Sequence, residues 1–310
     1  MTNNNVYLTS YMRPEMTRAS IEAVLQWTDL LNFTIVIDGL RSSADESEVR
    51  WRNQTIKLAE DFCAQNTNME LWVYKDNIGI TNHTMRIQGR ALEAGNSGIW
   101  IEEDIDLDLT EYSSVLDQLD FQSSSDPMLI SAFSHFNHPQ EVNRLIKGNL
   151  FLPIWGMSFN ESFYELFCKV WNDKKFDEKV VKSTIGFFFD NKTLLDKVHK
   201  QKVLNYWTEY SSWGFKNLNR WDAVANYALW TKAKHSFTTV NRSANDLSYI
   251  DTRGMNQRTT PKETESHNFH SVSFNGSDFC LKCEFRGSRI ERNPLRRARA
   301  SLQYRISHNL

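Results

Sequence analysis

Ile99-Trp100-Ile101-Glu102-Glu103-Asp104-Ile105-Asp106 is the stretch that decides the fold. Three bulky apolar residues run directly into three carboxylates. An apolar run without alternation reads as a strand buried on both faces. The triplet marks its end, and carboxylates so close repel one another unless a cation or solvent offsets them. A divalent metal held through one or two carboxylates, with substrate phosphates completing its shell, suits this composition. A solvated acidic turn is the competing reading.

Upstream, strand and helix alternate. Val6-Tyr7-Leu8-Thr9-Ser10 is short, apolar and β-rich. After Arg13-Pro14 comes a helical stripe at Ile21, Val24, Leu25, Thr28 and Leu31. Phe33-Thr34-Ile35-Val36-Ile37 stops at Asp38-Gly39, a turn signal. Thr55, Leu58, Ala59 and Phe62 suggest a second helix, and Glu70 to Tyr74 a third strand. Thr81 or Asn82 is the expected cap of a third helix reaching about Glu93. Met128-Leu129-Ile130-Ser131 is a further strand. Buried strands alternating with helices predict an α/β fold, a mostly parallel Rossmann-like sheet with helices on both faces.

In such sheets ligands bind beyond the carboxyl ends of the strands. Four strand ends carry polar groups that can converge there: Ser10 to Arg13, Asp38-Gly39, Asp76-Asn77, and Glu102 to Asp106. The glycine-rich phosphate loops of P-loop enzymes and nicotinamide dehydrogenases are absent, as are a Gly-x-Ser-x-Gly elbow and a His-x-x-x-His pattern. What remains is a phosphate-bearing donor held by a metal on acidic residues.

Composition agrees with a globular chain. Of 310 residues 40% are hydrophobic and 24% charged, which excludes wholesale disorder. A net charge of −2 excludes a whole-chain nucleic-acid binder. Four cysteines are too few for a disulfide scaffold. Cys280 and Cys283 have metal-like spacing, and His267 and His270 upstream could complete a structural zinc; free thiols and surface histidines are the alternative. No signal peptide and no 20-residue apolar run is visible, so a cytoplasmic location is expected.

Three parts are expected: 1–110, the strand–helix half; 111–265, the second half of the same domain, aromatic-rich at about 150–235; and a 266–310 extension. From Glu284 to Leu310 there are seven Arg and two Glu. Asn293-Pro294 could open a helix with Leu295, Ala298, Leu302 and Ile306 near one face and Arg296, Arg297 and Arg299 around them. Such a basic amphipathic helix suits an anionic membrane surface; a helix docked on the protein is the bland reading.

The order of these segments resembles the GT-A glycosyltransferases, the nucleotide-sugar-dependent type. It is carried by Thr9-Ser10-Tyr11-Met12-Arg13-Pro14, Ile37-Asp38-Gly39, Gly79-Ile80-Thr81-Asn82-His83 and Ile101-Glu102-Glu103-Asp104. It is similar to the N-acetylglucosaminyltransferase I family. That resemblance implies Arg13, Asp38 and His83 at the nucleotide, with Ser10 beside them, Glu103 at the ribose or sugar, and Asp104 at a divalent metal, Mn or Mg. The middle resembles bacterial glycosyltransferases with a Trp-Gly-rich segment, through Ile154-Trp155-Gly156-Met157-Ser158-Phe159 and Asn219-Arg220-Trp221-Asp222. Val240 to Asp246 matches an Asn-rich segment of that group. Met255 to Thr260 stands where a Thr-His-Thr-like segment belongs, without its His. His267 or His270 could serve instead, or Arg258 could offset diphosphate charge without metal.

The resemblance implies transfer of a sugar from a nucleotide-diphosphate donor to a carbohydrate or lipid-linked acceptor. An inverting reaction needs a base for the acceptor proton, and Asp222 is the candidate. The alternative is a non-catalytic nucleotide- or carbohydrate-binding protein on the same scaffold.

Overall fold

The computed structural model describes residues 5–26, 32–94, 98–107, 125–131, 156–183 and 221–232, six short strand segments between 136 and 280, and positions 205, 208, 211, 212 and 215. The elements are β1 (Asn5–Ser10), α1 (Pro14–Leu25), β2 (Asn32–Ile37), α2 (Glu46–Gln65), β3 (Met69–Val73), α3 (Gly79–Glu93), β4 (Ile99–Glu102) and β5 (Ile105–Leu107). Next come β6 (Leu129–Ser131), β7 (Phe136–Asn137), β8 (Leu145–Lys147), β9 (Met157–Phe159), α4 (Glu161–Asp173) and α5 (Trp221–Lys232). The last strands are β10 (Phe237–Thr239), β11 (Ala244–Asp246), β12 (Ser271–Phe274) and β13 (Ser277–Cys280).

The main sheet has eight strands in the order β3-β2-β1-β4-β9-β6-β10-β8. Strands β1 to β4 are parallel, in the 3-2-1-4 order of a doubly wound fold. Antiparallel β9 joins the two parts, pairing with β4 through Trp100 and Met157 and with β6 along its length. Strands from both halves of the sequence thus share one sheet. The expected α/β architecture, mostly parallel and covered on both faces, is present. The domain boundaries near 110 and 265 and the basic helix lie outside the described residues.

Period-two alternation sorts the strand side chains into two cores. Val6, Leu8, Ile35, Ile37, Ile99 and Ile101 face one way, where Ile21 and Val24 of α1 and Ala59 of α2 cover them. Tyr7, Val36 and Trp100 face the other way, under Ile87 and Ala91 of α3, Phe163 and Phe167 of α4, and α5. Burial of each large side chain stabilises the fold by about 1.5–3 kcal/mol. Helix α5 is buried nearly all round, from Ala223 to Trp230.

Local signals start the helices. Pro14 opens α1, where its missing N–H costs nothing. Asp45 and Glu48 form a capping box on α2. Buried Asn160 caps α4, accepting from the Phe163 N–H at 2.9 Å, and donates to the Asp126 carbonyl at 2.7 Å. Helix α3 differs from expectation. It starts at Gly79, not after Thr81 or Asn82, because Asp38 supplies the acceptor from across the sheet edge. Thr81 is buried within the helix. Helix α1 runs to Leu25; Thr28 and Leu31 of its expected stripe lie outside the described residues.

Candidate functional site

Three of the four strand-end groups are tied together at the carboxyl edge. The Ser10 carbonyl accepts from the Asp38 N–H at 3.2 Å, and Leu40 bridges to Asp76 beyond β2 and β3. Gly39 is required there: a Cβ would lie 2.1 Å from the Asp76 carbonyl carbon. The Ser10 hydroxyl lies 2.6 Å from the Thr17 hydroxyl, linking β1 to α1.

Asp38 is buried and its carboxylate is fully engaged. One oxygen accepts from Gly39 N at 2.8 Å and Ile78 N at 3.0 Å. The other accepts from Asn77 Nδ2 at 3.0 Å and Gly79 N at 3.2 Å. It therefore ties the end of β2 to the start of α3 and neutralises the positive end of that helix. Gly79, with φ of +75°, turns the chain into α3.

His83, on the first turns of α3, is 2% exposed. Its ring packs edge-on against Tyr74 at 5.3 Å, and Nε2 has no hydrogen-bond partner. Burial lowers its pKa to about 4, partly countered by the Asp38 carboxylate and reinforced by Arg86. The imidazole is neutral near pH 7.

The triplet's offsetting cation is Arg13. Its Nε and Nη2 lie 2.8 and 2.7 Å from Glu103 Oε1. Its two Nη atoms lie 3.4 and 3.3 Å from Asp104 Oδ2. Burial works against the charged guanidinium, but Glu103 and Asp104 outweigh it and hold its pKa above the ordinary arginine value. Glu102 has the opposite fate. Burial, with Asp104, Glu103 and Asp222 adding like charge, pushes its pKa well above the usual carboxylate range.

A Trp–Trp contact locates α5. Trp221 is 2% exposed and packs edge-on against Trp100 at 5.2 Å, two residues before Glu102. That contact sets the first turn of α5, with Asp222, beside the acidic strand end. Trp221 is therefore core; Trp155 and Trp213 lie outside the described residues.

Sequence reasoning missed Arg52. This buried α2 residue donates from Nε to the Asp38 carbonyl and from Nη2 to the Tyr74 carbonyl, both at 2.8 Å. It pins the ends of β2 and β3 together. The signal was an Arg on the apolar stripe of α2, three residues before Thr55 and seven before Ala59. Arg258, His267, His270 and Cys283 lie outside the described residues, as does the side chain of Cys280.

Among the described residues no group of three or more His, Cys, Asp or Glu side chains could hold a metal ion. The expected metal ligand, Asp104, faces the two Arg13 Nη atoms at 3.3 and 3.4 Å, so the described residues by themselves do not fit a bare metal ion.

The fold and this edge define an α/β protein with a bonded cluster of polar side chains at the carboxyl ends of β1 to β4. No protein-family model matches the chain, and no curated protein matches it. Among solved structures, the chain is similar to the mannosyltransferase PcManGT from Pyrobaculum calidifontis, in complex with GDP-Man and Mn2+. Identity is 8%, the TM-score is 0.39, and the match covers 99% of this chain and 86% of that one. Among the described residues no helix is long and apolar enough to cross a membrane.

Proposed function

We propose that the protein is a glycosyltransferase that moves a sugar from a nucleotide-diphosphate donor to a carbohydrate or lipid-linked acceptor. One observation carries this reading: Ser10, Arg13, Asp38, Asn77 and the Glu102 to Asp104 triplet share one sheet edge, with Asp222 within electrostatic reach. The nucleotide lies over the ends of β1 to β3, where Asp38 holds the wall and buried His83 packs behind it against Tyr74. Glu103 and Arg13 face the ribose and sugar.

Asp222 takes the proton of the acceptor hydroxyl as the new glycosidic bond forms, in an inverting displacement. Glu102, protonated beyond the usual range, limits the negative charge that the leaving diphosphate meets. A divalent cation held through Asp104 would, when bound, offset charge on that diphosphate.

A thermal-shift panel of nucleotide sugars tests the reading. A donor at about 100 times its dissociation constant stabilises the fold by about 2.7 kcal/mol. The stabilising donor should then be consumed on adding acceptor sugars, with Mn2+ and without. Stabilisation by no nucleotide sugar or nucleoside diphosphate would reject the proposal. Stabilisation without hydrolysis or transfer would favour a binding protein on the same scaffold.

A further inference from the structure

We propose that β3 pairs antiparallel with β3 of a second copy of this chain, extending the sheet across a two-fold axis. The pairing uses the outer edge of β3 and none of the strand-end residues Ser10, Arg13, Asp38, Glu103 or Asp222, so it stands apart from the glycosyltransferase reading.

Strand β3 ends the eight-stranded sheet and, among the described strands, pairs with β2 alone. The Asn68 carbonyl accepts from the Phe33 N–H at 3.0 Å, and the Tyr74 N–H donates to the Ile37 carbonyl at 2.9 Å. Even-numbered residues therefore turn their backbone groups to β2, and Leu71 and Val73 turn theirs to the open edge. The usual guards of such an edge are missing from Met69–Val73, which holds no Pro and no Lys. Val73 is instead a large apolar residue at 43% exposure. The other end of the strand is closed: the Met69 side chain is buried, and its N–H is spent on the Asn66 carbonyl at 3.1 Å. Pairing therefore centres on Trp72 and sets Leu71 opposite Val73 of the second copy. Each of these symmetry-related pairs exchanges both of its N–H to C=O bonds.

Charge fits the same register. Glu70, Trp72 and Tyr74 share one face of the strand. Helix α3 buries Ile87 and Ala91 in the core with Tyr7, Val36 and Trp100, and it reaches over β3 with two arginines. The Arg90 guanidinium lies 4.5 Å from the Trp72 ring centroid, and that of Arg86 lies 5.5 Å from the Tyr74 centroid. A guanidinium over a ring spends its flat face and keeps its in-plane N–H donors for an anion. Arg86, Arg90 and Glu70 are exposed, and none of them makes a salt bridge among the described residues. A register centred on Trp72 sets Glu70 of one copy opposite Tyr74 of the other, beside the Arg86 that covers that ring. The axis repeats the contact, so each copy supplies the carboxylate that the other's arginine lacks. Each chain has one such edge, so the pairing closes at two copies.

The test is analytical sedimentation of the full-length protein, with no sugar donor present. Wild type should be dimeric at about 100 µM and should dissociate on dilution towards about 1 µM. Glu70→Arg alone, or Arg86→Glu alone, sets like charges together twice across the axis and should raise the dimer dissociation constant about tenfold or more. The double variant, Glu70→Arg with Arg86→Glu, exchanges the two charges and should return to within about threefold of wild type. Val73→Lys guards the edge and should leave the protein monomeric at about 100 µM. A wild type that is monomeric at about 100 µM, or that assembles beyond a dimer, overturns the proposal whatever the variants do. A dimer indifferent to Val73→Lys, or a double variant as weak as the single ones, overturns it too. Failure of every nucleotide sugar to stabilise the protein would reject the glycosyltransferase reading and leave these outcomes unchanged.

Discussion

His83 makes stability depend on pH, with a sign that follows from its burial. The side chain is 2% exposed, and its pKa falls from 6.5 to about 4 on folding. Between these values the unfolded chain binds a proton that the folded chain refuses. Stability from this residue is therefore complete above about pH 6.5 and is lost as pH falls towards 4. A shift of about 2.5 units corresponds to roughly 3 kcal/mol in total, of which about 2 kcal/mol is lost between pH 7 and 5. Glu102 acts in the opposite direction, because its raised pKa makes the folded state bind the extra proton. Whole-protein pH curves therefore mix the two, and a comparison of variants separates them. Urea unfolding of wild type, His83→Phe and His83→Gln at pH 7, 6 and 5 isolates the imidazole. The gap between wild type and each variant should shift by about 2 kcal/mol in favour of the variant as pH falls to 5. A constant offset between variant and wild type does not affect that slope. Curves that stay parallel within about 0.5 kcal/mol would show that the imidazole is not held neutral by burial, and the reasoning would fail.

Asp38→Ala leaves four donors without their acceptor, three of them backbone amides. It should destabilise the protein by about 2–4 kcal/mol in urea, with Asp38→Asn costing less. Under the proposed function, isothermal calorimetry should also show weaker nucleoside diphosphate binding by Asp38→Ala; unchanged affinity would remove Asp38 from that pocket. Gly39→Ala forces a methyl group into the Asp76 backbone and should cost about 1–3 kcal/mol, read as a lower urea midpoint with an unchanged slope. Asp222→Asn should reduce transfer about 100-fold or more while donor affinity stays within a few-fold of wild type. Turnover at the wild-type rate would exclude Asp222 as the base.

The sequence by itself determined five strands, β1 to β4 and β6. The apolar runs ending at Ser10, Ile37 and Glu102 are continuous stretches buried on both faces and need no knowledge of the rest of the chain. Their polar ends follow from the same pattern, so the polar edge of the sheet was legible as a set of candidates. Partners distant in the chain were not. That Arg13, 90 residues from Glu103, is the cation on the acidic triplet depends on β1 and β4 being neighbours in the sheet. The start of α3 was misplaced because its cap, Asp38, comes from another strand; local capping patterns look only at adjacent residues. Arg52 is a charge on an apolar stripe, which pattern alone reads as an interruption. Only the tertiary structure supplies the two carbonyls that make its burial tolerable. Asp222 likewise came near the triplet through a Trp–Trp contact spanning 121 residues, a packing choice that no local propensity encodes.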